Sequence, residues 1–223
     1  MCGDAAGAPR LSWKGGVMYA RSTTLTADPT RMDDGIADVR DNVMPNVLEM
    51  DGCIGLSMLA ERGTGRCIAT SAWRDEEAMR ASAERVHQMR EELVRSFRGE
   101  PEVQEWEIAV LHRHHAAGDV GCARVTWVRT APEQLDRFAD TFRMTLLPRI
   151  EELPGFRSAS LMVDRDGGRA VGTVTFETRA AMEASREQSR AIRDEFTRAI
   201  GAEVEDVAEM DLVLAHLRVP ETV

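Results

Sequence analysis

Met44-Pro45-Asn46-Val47-Leu48-Glu49-Met50-Asp51-Gly52 occurs twice in this chain, the second time as Leu147-Pro148-Arg149-Ile150-Glu151-Glu152-Leu153-Pro154-Gly155. Both copies end a 3.6-residue apolar stripe with a proline and then a glycine. The match extends outward in both directions. At an offset of 103, residues 20–97 fall on 123–200 without a gap, and roughly a quarter of the pairs are identical. Gly65-Arg66 meets Gly168-Arg169, Trp73 meets Phe176, Ala78-Met79 meets Ala181-Met182 and Ser82 meets Ser185. One extra residue then moves the offset to 104, and His112 meets His216. A period of about a hundred residues makes each unit domain-sized rather than a solenoid turn.

Each unit reads in the same order. Met18–Leu25 and Cys122–Val128 alternate as half-buried strands do. Pro29 and Pro132 then stand where a helix begins, since a first-turn proline forfeits only a donor that would be orphaned anyway. The helical stripes are Met32, Ile36, Val39, Val43 and Val47, then Leu135, Ala139, Phe142, Leu146 and Ile150. Pro45 and Pro148 should kink the last turn, and Gly52 and Gly155 should end it with left-handed caps. Hairpins follow, with arms at 54–60 and 67–73, then 157–163 and 170–176. Their turns, Gly63-Thr64-Gly65 and Asp166-Gly167-Gly168, call for positive φ. Asp75 and Thr178 read as N-caps of a second helix. Strands at 105–112 and 209–216 close the units. The order βαββαβ, twice, is α+β: two tandem ferredoxin-like units. Each sheet has one face bare of helices. The economical cover is the other copy, packed sheet to sheet. The expected boundaries are a disordered lead-in at 1–15, units at 16–113 and 120–218, a linker at 114–119 and a tail at 219–223.

A net charge of −10 argues against a nucleic-acid partner. No apolar run is long enough for a membrane span. Cys2, Cys53, Cys67 and Cys122 have no metal or disulfide spacing and suit reduced thiols in a cytoplasmic protein. The HRHH cluster of His112, His114 and His115 lacks a converging Cys or Asp, so no metal site is expected. No nucleophile motif or phosphate loop is present.

Several residues stand out for chemistry. Arg21 and Arg124 recur mid-strand. Arg is the usual fork for a carboxylate or phosphate, so they read either as an anion clamp or as structural partners of Glu107 and Asp211. Tyr19 is the only tyrosine, a candidate proton or hydrogen-bond donor or simply a packed strand residue. Tyr19 and Arg21 are the catalytic candidates. Ser82, Ser185 and Ser189 fall on the apolar stripe of the second helix. Such small polar residues either leave room for a ligand or permit close packing, with each hydroxyl bonded to the preceding carbonyl.

The runs Pro45…Asp51-Gly52-Cys53…Trp73-Arg74-Asp75-Glu76-Glu77-Ala78-Met79 and Pro148…Pro154-Gly155-Phe156…Phe176-Glu177-Thr178-Arg179-Ala180-Ala181-Met182 resemble the antibiotic-biosynthesis-monooxygenase-like proteins of the dimeric α/β-barrel superfamily. The resemblance covers about 95 residues per copy. It implies a fused pseudo-dimer, an intramolecular dimeric α/β barrel with further pairing left open, and a small-molecule ligand held between helices and sheet. It places Trp73 and Phe176 near the mouth, where they could stack on a planar substrate; as aromatic strand ends they read equally as ordinary core packing. With Ser82, Arg124, Ser185 and Ser189 they are the candidate ligand-binding residues. The family includes monooxygenases that need no cofactor, and none is expected here. In that chemistry the substrate's own carbanion reacts with oxygen. Haem-degrading members carry Asn, Trp and His at positions that here fall on Tyr19 or Arg21, on Ser82 and Ser185, and on Glu92 and Glu195. That leaves no axial ligand for iron. Two functions follow: a cofactor-independent monooxygenase-like protein for a planar or phenolic molecule, or a binding protein that keeps the fold without the chemistry.

Overall fold

The computed structural model describes residues 16–97, 101–113 and 121–222. The lead-in 1–15, the linker 114–119, His114 and His115 lie outside the described residues. The first unit comprises β1 (Met18–Thr26), α1 (Met32–Asp38), α2 (Met44–Leu48), β2 (Cys53–Glu61), β3 (Arg66–Trp73), α3 (Glu76–Ala81), α4 (Ala83–Phe97) and β4 (Glu102–Arg113). The second comprises β5 (Gly121–Arg129), α5 (Leu135–Thr141), α6 (Leu147–Glu151), β6 (Phe156–Asp164), β7 (Arg169–Phe176), α7 (Arg179–Ala184), α8 (Arg186–Ile200) and β8 (Glu203–Leu217).

The eight strands close into one antiparallel barrel, in the order β1-β3-β2-β8-β5-β7-β6-β4. The two sheets are therefore hydrogen-bonded to each other along both edges. β2 pairs with β8, and β6 pairs with β4. Closure leaves no exposed strand edge. Equivalent bulges mark both seams: Ala109 is skipped opposite β6 and Val213 opposite β2. β8 has a further bulge that leaves Glu205 unpaired against Trp127 and Val128, whereas β4 pairs with β1 without interruption. A bulge adds one residue, the count by which the repeat offset changes.

The expected proline kinks take a specific form. Val39–Val43 and Phe142–Leu146 are π-helical turns, and Met44 N–H and Leu147 N–H donate back five residues to Val39 and Phe142. A proline at 45 or 148 cannot donate to the carbonyl four residues before it. Widening the turn one residue ahead of the ring is how both helices pass that point. The second helix also differs from expectation. It is broken in both copies at Ser82 and Ser185, with Asp75 and Thr178 capping the first piece.

Gly52 and Gly155 are left-handed, as expected (φ 76° and 68°). A Cβ on either would lie 2.4 or 2.6 Å from the Cβ of Ala78 or Ala181. The repeated Gly…Ala-Met signature is thus one contact: the end of α2 or α6 rests on α3 or α7. In the hairpin turns, positive φ falls on Gly65 and Gly168, whose carbonyls accept from Ala27 and Thr130.

Three apolar clusters form. One lies between helices and sheet in each unit, and the third fills the barrel interior around Met18, Trp106, Ala123 and Met210. At one end of that interior the guanidinium of Arg66 lies over Trp127 and that of Arg169 over Trp106. Residues 219–222, expected to be a tail, are tied down: Thr222 N–H donates to the Leu111 carbonyl (3.0 Å), and Leu111 N–H to Thr222 Oγ1 (2.7 Å).

Candidate functional site

Strand alternation turns Arg21 and Arg124 toward the helices, where both are buried. A buried guanidinium must satisfy up to five N–H groups. Arg124 satisfies all five. Nε and Nη2 donate to Glu209 Oε1 (3.2 and 2.8 Å), and Nη2 also to the Met182 carbonyl (2.6 Å). Nη1 donates to Ser185 Oγ (3.3 Å) and Ser189 Oγ (2.7 Å). Arg21 repeats this with one omission. Nε and Nη2 reach Glu105 Oε1 (2.9 and 2.7 Å), Nη2 the Met79 carbonyl (2.8 Å), and Nη1 only Ser82 Oγ (3.0 Å). Val86 stands where the second unit has Ser189. One Arg21 N–H has no acceptor among the described residues.

The structural partners are thus Glu105 and Glu209, not the expected Glu107 and Asp211. Register decides this: Arg21 is directly opposite Glu105 and Arg124 opposite Glu209. Glu107 is taken by Arg165 and Asp211 by Arg179. Glu209 also receives Arg186 (2.6 Å), and this bond, with Arg124 behind it, holds its carboxyl at about 2. The first unit has Ala83 in place of Arg186, and Glu105 is half exposed.

Each unit has a cavity between its helices and its sheet. The first, about 70 Å³, is floored by Arg21, Thr23 and Leu25 and roofed by Val39, Val43, Val86 and Met89. The second, about 80 Å³, is bounded by Arg124, Phe138, Phe142, Ser189 and Phe196. Either has room for several water molecules. They differ in charge. Arg193 in the second cavity is paired with Asp194 (2.9 Å). Its counterpart Arg90 lines the first cavity and, among the described residues, has only His87 Nδ1 as a bonded neighbour (3.0 Å). Burial, then the nearby Arg21, pushes the Arg90 guanidinium below its ordinary value. The first cavity thus has an unspent Arg21 N–H and an arginine without a carboxylate. The second is electrostatically closed and more aromatic.

The other expected site residues are distributed as follows. Tyr19 shares the strand face of Arg21 but does not line the cavity. Burial, then Glu76 and Glu107, raises its phenol above the usual value, so it stays protonated at neutral pH. Trp73 and Phe176 are fully buried in the core and line neither cavity. The Trp73 indole donates to Ser71 Oγ (3.0 Å), and Phe176 lies under the Arg124 guanidinium (5.4 Å). Ser82 and Ser185 donate to the carbonyls three residues back, at Met79 and Met182 (2.7 and 2.8 Å), while accepting from the arginines. They sit at the helix breaks and hold the arginines in place. Of the three serines, Ser189 alone lines either helix–sheet cavity. Sequence reasoning missed Arg90. The available signal was its alignment with Arg193, whose following residue, Asp194, pairs with it while Glu91 does not.

Haem does not fit these cavities. No imidazole lines either one. The Cys67 thiol on the first cavity is pushed up to about 11 by burial and is not a ready thiolate ligand. Among the described residues no group of three His, Cys, Asp or Glu side chains converges on a point, and no helix is long and apolar enough to cross a membrane.

The sequence profile of the antibiotic biosynthesis monooxygenase family matches residues 18–90, from β1 into α4. Residues 18–90 thus belong to that family, and the chain as a whole resembles the antibiotic-biosynthesis-monooxygenase-like proteins of the dimeric α/β-barrel superfamily, as a tandem pseudo-dimer in one polypeptide. It is similar over its whole length to two proteins of Mycobacterium tuberculosis (strain ATCC 25618 / H37Rv). Uncharacterized protein Rv2557 is 50% identical over 224 residues, covering 100% of both chains. Uncharacterized protein Rv2558 is 50% identical over 222 residues, covering 99% of this chain and 94% of the relative. Among solved structures, an anthrone oxidase-like protein superposes with a TM-score of 0.66 at 14% identity, covering 94% of this chain and 97% of its own. A monooxygenase-like protein from Listeria innocua superposes at 0.52 with 10% identity, covering 92% and 98%. At these identities the likeness is one of fold.

Proposed function

We propose that this is a cofactor-independent monooxygenase-like protein whose first-unit cavity binds a small planar phenolic or enolisable molecule as its anion. The observation that carries this reading is the pair of arginines on a largely apolar cavity, Arg21 with one N–H unused and Arg90 without a carboxylate among the described residues. Two guanidiniums in a largely apolar pocket favour the charged form of a phenol or enol and so lower its pKa. An enolate held there reacts at carbon with dioxygen. For a methylene ketone the balance is R₂CH₂ + O₂ → R₂C=O + H₂O. The substrate supplies the electrons, one oxygen atom becomes the new carbonyl and the other leaves as water. The chain's share is to bind, orient and exclude water.

A second reading, binding without chemistry, has its own support: no carboxylate or imidazole lines the cavity to take the substrate's proton. Oxygen uptake with anthrone and hydroquinone separates the two. The enzyme reading expects uptake that falls in Arg21→Ala and Arg90→Leu, with Tyr19→Phe testing the phenol. No uptake across such a panel, while the same compounds still raise the melting temperature, leaves only binding.

A further inference from the structure

The barrel interior contains a cavity of its own, about 120 Å³, separate from both helix–sheet cavities. Its polar lining is pseudo-symmetric. Ser57 lies opposite Thr70 on the β2–β3 pair, and Ser160 opposite Thr173 on β6–β7, at the repeat offset of 103. None of these four hydroxyls has a protein partner among the described residues. A barrel interior is ordinarily filled by apolar side chains, as it is around Trp106 and Met210. Unspent hydroxyls there mark space meant for something polar.

The symmetry is broken at two places. Ser158 and Thr175, which hydrogen-bond each other, stand where the first unit has Gly55 and Ala72. Arg113 on β4 enters the cavity where its counterpart on β8 is Leu217. Its Nη1 donates to the Val219 carbonyl (2.9 Å), while Nη2 is buried with no hydrogen-bond partner among the described residues. An orphaned guanidinium nitrogen offers two N–H groups and costs free energy unless something accepts them. No carboxylate lies within ion-pair distance of Arg113 among the described residues. Glu221, whose charge it does sense, stands against His112 (3.6 Å). The segment at Val219 closes this end of the barrel and holds Arg113 in place, with Arg218 N–H donating to the Ile54 carbonyl (2.9 Å).

We propose that the barrel interior is a second binding site, for a short-chain monocarboxylate whose carboxylate accepts from Arg113 Nη2 and from the unspent Ser/Thr hydroxyls, and whose chain lies along the apolar part of the lining. A single interior cation at that end matches one negative charge, which disfavours phosphate. The apolar remainder of the lining, Leu59, Met162 and Leu212 among it, matches a hydrocarbon chain. This inference does not depend on the function proposed for the helix–sheet cavity.

The test uses the full chain and sodium butyrate, followed by methyl NMR. Saturable shifts are expected at Ile108 and Met162 inside the barrel, with none at Val39 and Val43 over the first-unit cavity. Butanol and butylamine at equal concentration should leave those signals in place. Arg113→Leu, which copies the residue already present at 217, should weaken butyrate at least tenfold, while Arg90→Leu should not change it. Ser160→Ala, which keeps Arg113, should weaken it less. Unchanged affinity in Arg113→Leu, shifts confined to Val39 and Val43, or equal shifts from sodium chloride would each overturn the proposal.

Discussion

Val86→Ser is the substitution that most directly tests the asymmetry between the two helix–sheet cavities. It gives Arg21 the acceptor that Ser189 gives Arg124, at 2.7 Å from Nη1. Val86 is half-buried. Trading its two methyls for a hydroxyl loses about 1 kcal/mol of transfer free energy, half the fully buried value. A hydrogen bond to a charged group returns about 1.5–3 kcal/mol, so the variant should stay within about 2 kcal/mol of wild type in urea. Ligand binding should respond far more. An anion that relied on the free N–H loses one charge-assisted hydrogen bond, about 1.5–3 kcal/mol, or roughly 10- to 150-fold in Kd. Titration calorimetry with salicylate measures this. The reciprocal change, Ser189→Val, frees an Arg124 N–H and should create weak salicylate binding in the second unit, reported by methyl shifts of Leu146 and Ile192. If Val86→Ser is folded and stable yet binds salicylate within threefold of wild type, the unspent N–H is not what recognises the anion.

Glu209→Gln should destabilise the protein by about 3 kcal/mol at pH 7, because Arg124 is left buried without its charge partner. The depressed Glu209 carboxyl contributes stability above the ordinary glutamate value near 4.5 and loses it as pH falls toward about 2. The gap between wild type and variant in urea should therefore shrink between pH 5 and pH 2; a constant gap would count against the ion pair. Gly52→Ala should cost more than Gly201→Ala. Both have positive φ (76° and 74°), worth about 1 kcal/mol in strain, but only at Gly52 would the new Cβ meet Ala78 at 2.4 Å; equal losses in thermal unfolding would show that the contact is soft. Asp75→Ala should cost about 1 kcal/mol, since its carboxylate caps the Ala78 N–H (2.8 Å), and a neutral outcome in urea denaturation would mean that α3 is held by packing alone.

Much of the architecture was legible because it rests on local and periodic properties. The duplication, the strand alternation, the apolar stripes, the N-caps and the left-handed glycines all follow from nearest-neighbour sterics and from which side of an element is apolar. Arg21, Arg124 and the three serines stood out for a similar reason: polar groups on apolar faces must find partners. What those partners are depends on register between strands about 85 residues apart, which no local pattern encodes. Alternation alone could not choose Glu105 over Glu107, since both lie on the same face of β4. The placing of Trp73 and Phe176 in the core, away from the cavities, and the breaks at Ser82 and Ser185 were likewise settled by how helix and sheet meet.

The sequence by itself therefore determined two ferredoxin-like units in one chain and a repeated buried arginine in each. Tertiary structure decided three further things. Both sheet edges are sealed, because two copies with complementary open edges satisfy every strand only by closing the ring. The helix–sheet cavities differ in charge, because Ser189 and Asp194 complete a network in the second unit that Val86 and Glu91 leave open in the first. The barrel interior keeps an orphaned arginine, because Arg113 and Leu217 are brought to the same end of the barrel but only one of them carries a charge.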